Sequence, residues 1–384
     1  MTHFRRHRLA LALAAVVSMT ALSACTRTAS PTDEAAPAQG EASAPVAPAT
    51  GAGAPNSATG TPGMQDGQPG APGTVLPAST GTNGAQPMQP AAPPVVPAAA
   101  DAELAKDSPL RAQVLLERAF FSPGEIDGAA GSNQKRAVTA YQKAMGLTAN
   151  GTLDAATWEK LNADTAPILI EYTLTEEDVT GPFEKVPTQP MQMAKMESMP
   201  YETVEEKIAE KFHMSPALLK KLNPEVDLKT AGTKVTVVHV TPGENLPVPA
   251  RIVVDESDAQ LMLEDAAGKI VGVFPVTTGS EQFPLPIGEW KVNGVSRDPV
   301  WNYDPRLIAG SKKTDTKATI PAGPNNPVGT TWIDLSKEHY GIHGTPNPSK
   351  IGKTESNGCI RMTNWTAAAL AKVVKPGMQV SMRT

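Results

Sequence analysis

The sequence predicts a multidomain α + β protein, with helices in the first folded part and strands in the last third. Three observations support this fold class. Residues 26–100 lack Phe, Trp and Tyr, and they hold 14 of the 37 prolines. This stretch therefore cannot bury enough apolar surface to fold. Apolar residues recur at helical spacing over 104–163. From Arg251 onward, short runs alternate at period two between Gly and Pro turns, as β-strands do.

The first 24 residues have the pattern of an export signal. Three arginines within the first eight residues precede the apolar stretch from Leu9 to Met19, which is too short to span a membrane comfortably. The following Leu-Ser-Ala-Cys, ending at Cys25, resembles the bacterial lipobox, in which the cysteine is lipidated and becomes the mature N-terminus. The alternative is an ordinary secretory signal with a chance cysteine. Two or more acyl chains would anchor the protein stably, since each buried methylene contributes ~0.8 kcal/mol. Thr26, rather than Asp, then indicates the outer membrane of a Gram-negative cell.

The composition limits the partners and singles out one thiol. Removal of residues 1–24 takes away three arginines and no acidic residue, so the formal charge moves from −5 to −8. This balance argues against nucleic acid or other polyanions as partners. The chain has only two cysteines, and if Cys25 carries lipid, Cys359 has no disulfide partner and becomes a candidate reactive thiol. Residues 25–100 are predicted to be a disordered Pro/Ala/Gly tether.

Residues 101–165 are predicted to form a small three-helix bundle. Ser108-Pro109 supplies a capping residue and a proline at the first helical position, and the turns Asp127-Gly128 and Asn150-Gly151 precede the other two helices. The stretch "PGEIDGAAGSNQKRAVTAYQKAMGLTANGTLDAATWEKL" resembles the three-helix peptidoglycan-binding module of bacterial wall enzymes. A helical bundle of unspecified use is the alternative. The resemblance implies peptidoglycan as a partner.

Residues 170–245 are predicted to form a smaller α/β unit. Its later part, 201–240, indicates the order strand, helix, helix, strand. "IAEKFHMSPALLKKLNP" followed by "AGTKVTV" resembles a degenerate LysM unit, a glycan-binding fold. The usual Gly-Asp-Thr-Leu opening is missing, so a spacer that has lost glycan binding is the alternative.

Residues 250–383 are predicted to form a mainly β domain with a late helix at Trp365 to Val374. Within it, "YGIHGTPNPSKIGKTESNGCIRM" places His343 and Cys359 among glycines and small polar residues. A thiol nucleophile needs a pKa below ~8.5, and a neighbouring imidazole can lower it by forming a thiolate–imidazolium pair. A glycine before the nucleophile, Gly358, allows two backbone amides to face a developing oxyanion, at ~3 kcal/mol of barrier per donor. Gly344 leaves room for a backbone carbonyl that fixes the histidine tautomer.

Three plainer interpretations remain open for this stretch. Cys359 could be a buried structural thiol, since free cysteine behaves as a small hydrophobe. His343 could bind a metal together with His339, although no Cys-x-x-Cys or His-Glu-x-x-His motif is present, which disfavours zinc. The stretch could also be a glycine-rich loop without chemistry.

Three longer motifs favour the chemical interpretation. "IPAGPNNPVGTTWIDL", the His–Cys stretch and "VVKPGMQVSM" resemble the catalytic domain of the L,D-transpeptidases (the YkuD family), a β-sandwich with a short helix, from about Arg251 to Met382. The resemblance implies that Cys359 is the nucleophile, His343 the general base and the Gly344 carbonyl its orienting group. It further implies an oxyanion hole and a set of residues around the donor peptide: the amides of Gly358 and Cys359, and the side chains of Ser356, Asn357 and Arg361. Many members carry histidine where this chain has Asn357, so any part that a second imidazole plays in shaping the acyl site is missing.

The resemblance also implies a reaction without metal or organic cofactor. Cys359 would take an acyl group from a stem tetrapeptide, release a D-amino acid, and pass the acyl group to the side-chain amine of a second stem. Water as acceptor would give an L,D-carboxypeptidase, and a lysine of an outer-membrane lipoprotein would give an anchoring enzyme. The alternative from another class is a non-catalytic peptidoglycan-binding lipoprotein. The predicted location is the periplasmic face of the envelope, lipid-anchored to the outer membrane, with carbapenems as covalent inhibitors.

Overall fold

The computed structural model describes residues 95–240, 245–308 and 310–384. The export signal predicted at 1–24 and the lipidation predicted at Cys25 lie outside the described residues. In these ranges no helix is long and apolar enough to cross a membrane.

In chain order the elements are α1 Ala99–Glu103, α2 Pro109–Arg118, α3 Ser132–Ala144, α4 Ala155–Leu161, β1 Leu169–Thr173, α5 Glu176–Val179, α6 Pro190–Met193, α7 Val204–Lys211, α8 Pro216–Leu222, β2 Lys234–Val238, β3 Arg251–Asp255, β4 Gln260–Glu264, β5 Ile270–Pro275, β6 Gly288–Arg297, β7 Trp301–Tyr303, β8 Ala318–Ile320, β9 Thr331–Leu335, β10 Gly341–His343, β11 Ile360–Arg361, α9 Asn364–Val373 and β12 Gln379–Arg383.

The tether predicted at 25–100 ends earlier than its composition indicates. The Ala98 amide donates to the Leu169 carbonyl at 3.0 Å, and the Glu171 amide donates to the Val96 carbonyl at 2.9 Å. These bonds add the residues before α1 to the edge of β1, and the side chain of Ala98 is buried. Backbone pairing of this kind leaves no mark in composition, so the predicted boundary at residue 100 is wrong and residues 95–100 belong to the fold.

Helices α2 to α4 form the predicted three-helix bundle. The Ser108 hydroxyl accepts from the Arg111 amide and Pro109 is the first helical residue, as the capping signal predicts. Buried Gln142 connects α3 to the turn before α4. Its Nε2 donates to the Thr152 carbonyl at 2.7 Å, and its Oε1 accepts from the Gly151 amide at 2.8 Å.

The middle unit has a different strand order from the one predicted for 201–240. Strand β2 pairs antiparallel with β1, which lies upstream of that range, whereas the residues before α7 form no strand. Thr203 instead caps α7 by accepting from the Glu206 amide. A Thr with Glu three residues later is a helix-start signal, and it overrides the strand propensity of Tyr201.

The segment leading into α7 packs against the strand domain. The Met199 amide donates to the Ala322 carbonyl at 2.9 Å, and the Asn325 amide donates to the Met199 carbonyl at 3.0 Å. Met199 forms a small buried cluster with Tyr303 and Ile320. The methionines of this segment therefore cover the β7–β8 hairpin.

The last third is mainly β with one long helix, as predicted. Eight strands form one sheet in the order β11-β10-β9-β6-β12-β3-β4-β5. Thr277, just beyond β5, bridges to Arg361 of β11, with both backbone hydrogen bonds at 2.9 Å. The two edges of the sheet therefore meet, and the sheet curls around the buried face of α9. Strands β10 and β11 lie at this seam.

The helical bundle, the middle unit and the sheet share one apolar core. Leu116 of α2, Ile208 of α7 and Val273 of β5 belong to the same cluster and are at most 1 % exposed. Fully burying a side chain of this size contributes roughly 1.5–3 kcal/mol. The three parts are therefore packed together rather than loosely strung along the chain.

Candidate active site

His343 lies at the end of β10 with its ring held by its own neighbour. Its Nδ1 is 2.7 Å from the Gly344 carbonyl oxygen, which can only accept, so Nδ1 carries the proton and Nε2 carries a lone pair. The ring stacks on Trp332 of β9, with centroids 5.4 Å apart and planes 18° from parallel. The side chain is 4 % exposed. Tautomer and orientation are thus fixed from two sides.

Cys359 lies on the sheet face that carries His343. In the parallel β10–β11 pair, Ile342 is opposite Ile360 and His343 is opposite Arg361. Because side chains alternate along strands, this register puts Cys359, which directly precedes β11, on the face of His343 and Arg361. The thiol is half-buried and its Sγ donates to the His339 carbonyl at 3.7 Å. The register therefore puts these two residues, which lie sixteen apart in sequence, on the same face of neighbouring strands.

The electrostatics do not support the thiolate–imidazolium pair expected from the sequence. Burial, reinforced by the positive charge of Arg361, lowers the pKa of His343 to about 3, against a small opposing contribution from the Gly344 carbonyl. Burial also raises the pKa of the Cys359 thiol above its ordinary value, although the Gly341 amide and Arg361 act to lower it. Both shifts run opposite to the lowered thiol pKa expected from the sequence, and they favour a neutral thiol and a neutral imidazole in the resting site.

This neutral pair predicts the pH dependence of thiol alkylation. Only the thiolate reacts, so modification of Cys359 by iodoacetamide should accelerate about tenfold per pH unit between about pH 6 and pH 8. His343 is neutral throughout this range and adds no inflection. The native chain should also react more slowly than the urea-unfolded chain, whose thiol has its ordinary pKa. Mass spectrometry of the Cys359 peptide measures both rates, and a plateau at neutral pH would contradict the neutral pair.

The turn before Cys359 is built around Ser356. The Ser356 hydroxyl donates to the Cys359 carbonyl at 2.7 Å and accepts from the Gly358 amide at 3.1 Å. Gly358 has φ 101°, and a Cβ there would lie 2.9 Å from the Tyr340 ring, so only glycine fits. The Gly358 amide predicted for the oxyanion hole is therefore engaged at rest. Ser356 therefore holds the turn that precedes Cys359.

A cavity of about 680 Å³ opens beside these residues. It is lined by Ser356, Asn357 and Arg361, the residues predicted to surround the donor peptide. Glu281 and Glu355 line the same cavity, so its wall carries both signs of charge. Within the described ranges no group of three or more His, Cys, Asp or Glu residues is arranged to hold a metal ion.

Comparison with known proteins decides the family. Residues 249–382 match the family model described as "L,D-transpeptidase catalytic domain", and residues 107–161 match "Putative peptidoglycan binding domain". The "Putative L,D-transpeptidase YkuD" of Bacillus licheniformis is 34 % identical over 187 residues, which cover 48 % of this chain and 94 % of that protein. The chain belongs to the L,D-transpeptidase family. The family prediction and the peptidoglycan-binding prediction are confirmed.

Two further relatives of this L,D-transpeptidase have similar names. The "Putative L,D-transpeptidase YkuD" of Bacillus subtilis is 29 % identical over 176 residues, covering 46 % of this chain and 90 % of the relative. The "Probable L,D-transpeptidase YbiS" of Escherichia coli is 29 % identical over 183 residues, covering 46 % of this chain and 58 % of the relative. The 48 % of this chain aligned with the first relative exceeds the share made up by 249–382, so that alignment extends upstream into the middle unit. The LysM-like interpretation of 170–245 stays a prediction.

Sequence reasoning missed two aromatic residues of the transpeptidase site. Trp332 is the cross-strand partner of His343, and Tyr340 packs its ring against Gly358. Both lie within the motifs that carry the family resemblance, "IPAGPNNPVGTTWIDL" and "YGIHGTPNPSKIGKTESNGCIRM". Pairing "TTWIDL" with "YGIH" as an antiparallel hairpin would have placed Trp332 opposite His343, because alternation fixes which residues share a face.

A third missed residue, Asn364, links the middle unit to His343. Its Oδ1 would lie 2.2 Å from a Cβ placed on Gly344, so Asn364 packs directly on the residue that orients His343. Its Nδ2 donates to Glu210 of α7 at 3.1 Å, and Glu210 accepts from the Tyr201 hydroxyl at 2.8 Å. No local signal joins residues this far apart in sequence.

Glu210 should make folding stability pH-dependent. Desolvation raises the pKa of Glu210 to about 7, although hydrogen bonds from Tyr201 and Asn364 act to lower it. A carboxyl with a raised pKa in the folded state is stabilising while protonated, and the contribution is lost as pH rises through about 7. Glu210→Gln should therefore lessen the fall in unfolding free energy between about pH 5 and pH 8, by on the order of 2 kcal/mol. Urea unfolding at both pH values measures it. Glu225→Gln, at an exposed site, is the control and should retain the wild-type dependence.

Proposed function

We propose that this chain cross-links peptidoglycan stem peptides through a thioester on Cys359. The proposal rests on one observation. His343 Nδ1 donates a hydrogen bond to the Gly344 carbonyl, and His343 lies on the sheet face that also holds Cys359 and Arg361. This commitment leaves Nε2 as the only ring atom able to take a proton. A nucleophile beside a base that a third group orients is the arrangement used in covalent catalysis.

In the first half-reaction Cys359 Sγ attacks the carbonyl of the L-centre that precedes the terminal D-residue of a stem tetrapeptide. The thiol proton passes to His343 Nε2 as the C–S bond forms, because both groups are neutral at rest. The C–N bond then breaks, and the imidazolium gives its proton to the departing amine. With a pKa of about 3, the imidazolium of His343 is a strong acid, which favours this second transfer. The products are a thioester and a free D-amino acid.

Charge that develops on the attacked carbonyl oxygen requires backbone donors. The Cys359 amide is the proposed first donor. The Gly358 amide is the proposed second donor. It must first break its hydrogen bond to the Ser356 hydroxyl and then donate to the oxyanion. Donors already oriented towards the developing charge are worth ~3 kcal/mol each in comparable sites.

In the second half-reaction the uncharged side-chain amine of another stem attacks the thioester. The new C–N bond forms, the C–S bond breaks, and the proton lost by the amine passes through His343 Nε2 to the Cys359 sulfur. Two carboxylates in the groove, Glu281 and Glu355, carry the charge that attracts an ammonium group. This favours an amine acceptor over water. No resident metal or organic cofactor takes part in the proposed scheme.

The envelope location belongs to the same proposal. The peptidoglycan-binding module would hold the catalyst at the wall and raise the effective concentration of stem peptides. A lipid on Cys25 would anchor the chain to the outer membrane, with the folded part in the periplasm. Carbapenems would acylate Cys359 as substrate mimics.

Incubation with a disaccharide tetrapeptide, followed by mass spectrometry of products and of the intact protein, tests the proposal. We expect a cross-linked dimer, released D-amino acid and a carbapenem adduct of the protein. Tripeptide without dimer would assign the L,D-carboxypeptidase activity instead. Absence of product, together with absence of a carbapenem adduct, would reduce the chain to a wall-binding lipoprotein.

A further inference from the structure

The loop that joins the catalytic histidine to the catalytic cysteine, 344–358, is held by a residue pair outside the catalytic sheet. Asn133 Nδ2 donates to the Ile351 carbonyl at 2.9 Å, and Arg136 Nη2 donates to the Gly352 carbonyl at 2.9 Å. Both donors project from α3 of the peptidoglycan-binding module. The pair is itself connected, because Arg136 Nη2 also donates to Asn133 Oδ1.

Gly352 is the residue that permits this close approach. Its φ is 71°, a backbone conformation that favours glycine. A Cβ there would lie 2.6 Å from Asn133 Oδ1 and 3.0 Å from Arg136 Nη2. Any side chain at 352 would therefore push the loop and α3 apart. Asn133 is 9 % exposed and Ile351 is 2 % exposed, so the hydrogen bond between these two residues is buried.

The held loop is bonded in turn to the strand that carries the nucleophile. The Gly352 amide donates to Thr277 Oγ1 at 3.0 Å. Thr277 exchanges two backbone hydrogen bonds of 2.9 Å with Arg361, which lies two residues beyond Cys359. An unbroken series of hydrogen bonds thus runs from α3 of the wall-binding module, through the loop, to β11.

We infer that Asn133 and Arg136 are positioning residues of the acyl-transfer site. They fix Ile351 and Gly352, in the middle of a loop whose two ends adjoin His343 and Cys359, and their loss would remove the hydrogen bonds that hold this loop on α3. Misplacement of reacting atoms by ~1 Å can cost about a hundredfold in rate. The wall-binding module therefore acts on the chemistry itself as well as on where the enzyme resides. The inference rests on the proposed role of Cys359.

If Asn133 and Arg136 had a purely structural role, their replacement would not affect acyl transfer more than the loss of other contacts in the module. If Asn133 and Arg136 only stabilised the module, their loss would resemble the loss of any arginine contact within it. Arg111 offers the matched comparison, because its Nε donates to Asn162 Oδ1 at 2.9 Å and both residues belong to the helical bundle. Its removal leaves the loop 344–358 untouched.

The experiment uses the full chain with Asn133→Ala, Arg136→Ala, Arg136→Lys and Arg111→Ala. With a soluble tetrapeptide that carries no glycan, Asn133→Ala and Arg136→Ala should lower kcat by about tenfold to a hundredfold, with KM nearly unchanged. Arg136→Lys keeps the charge and a donor, so it should recover part of the loss. Iodoacetamide alkylation should show a changed rate and pH profile at Cys359 in the same two alanine variants. Arg111→Ala should match the wild type, and all four variants should still bind isolated sacculi.

Two outcomes overturn the inference: wild-type kcat and alkylation in folded Asn133→Ala and Arg136→Ala, or equal losses in Arg111→Ala. Should Arg136→Ala fail to fold, Asn133→Ala and Arg136→Lys decide the question. Alkylation of Cys359 requires no turnover. An inactive wild type would therefore refute the proposed function. The positioning role would still be decided by alkylation, because the Asn133 and Arg136 variants should differ from Arg111→Ala in the rate of Cys359 modification.

Discussion

Replacement of Cys359 by alanine should abolish acyl transfer, with a loss of at least about 10⁴-fold in product formation. The methyl group cannot form a thioester, and no other cysteine lies in the described ranges. Stem-peptide turnover, released D-amino acid and the carbapenem adduct on the intact protein should disappear together. Sacculus binding should persist, because the peptidoglycan-binding module does not contain the thiol. Quantitative mass spectrometry of products and protein measures each of these.

Cys25→Ala is the matched control for that result. It removes the only other thiol in the chain and the proposed lipid site, so it should leave turnover of a soluble tetrapeptide at the wild-type rate. A Cys359→Ala variant that still produced cross-linked dimer would refute the thioester route. Full activity in Cys359→Ala with none in Cys25→Ala would move the nucleophile to the other cysteine.

The local parts of the site could be predicted from the sequence because local residues determine them. The Gly344 carbonyl that orients His343 belongs to the next residue, and the capping of α2 at Ser108 depends on its first turn. Motif resemblance placed Cys359 and His343 in one site, and the β10–β11 register agrees with that placement. Contacts between neighbouring residues can be predicted from one sequence, because the prediction does not require knowledge of which distant residues meet in the fold.

The rest depended on contacts between residues far apart in sequence. Strand β2 pairs with β1 rather than with the segment at Tyr201, because a capping threonine commits that segment to a helix start. Likewise, nothing near Asn133 or Gly352 in sequence indicates that they meet. The pKa shifts of His343 and Cys359 also depend on distant residues, because burial is the largest cause of both and burial is a property of the whole fold.

The oxyanion prediction illustrates how a motif can omit a competing partner. The sequence predicts that the amide of Gly358, which directly precedes Cys359, donates to the oxyanion. The Ser356 hydroxyl, two residues earlier, accepts a hydrogen bond from that amide at rest. Short polar side chains compete readily for nearby backbone groups, so the resting turn and the reacting turn differ by at least this one hydrogen bond.

Replacement of His343 by alanine should lower kcat by about 10²–10⁴-fold, the usual contribution of a general acid–base group. The thiol would then have to lose its proton to water, and burial has already raised its pKa. The activity that remains should therefore increase with pH up to the thiol pKa. The wild-type rate of acylation, in contrast, should be flat from about pH 5 to pH 8, because His343, with a pKa near 3, stays neutral throughout that range. Release of the D-amino acid in a single turnover, without an acceptor amine, measures both rates across this pH range.

His339→Asn provides the control for this variant. His339 lies four residues upstream, its side chain is 64 % exposed, and its contact with Cys359 Sγ comes from the backbone carbonyl, which any substitution retains. Asparagine also tolerates the positive φ of 66° at this position. This variant should keep wild-type turnover and pH dependence. Unchanged cross-linking in His343→Ala, or an equal loss in His339→Asn, would show that the proton leaves Cys359 by another route, and the neutral-pair mechanism would have to be abandoned.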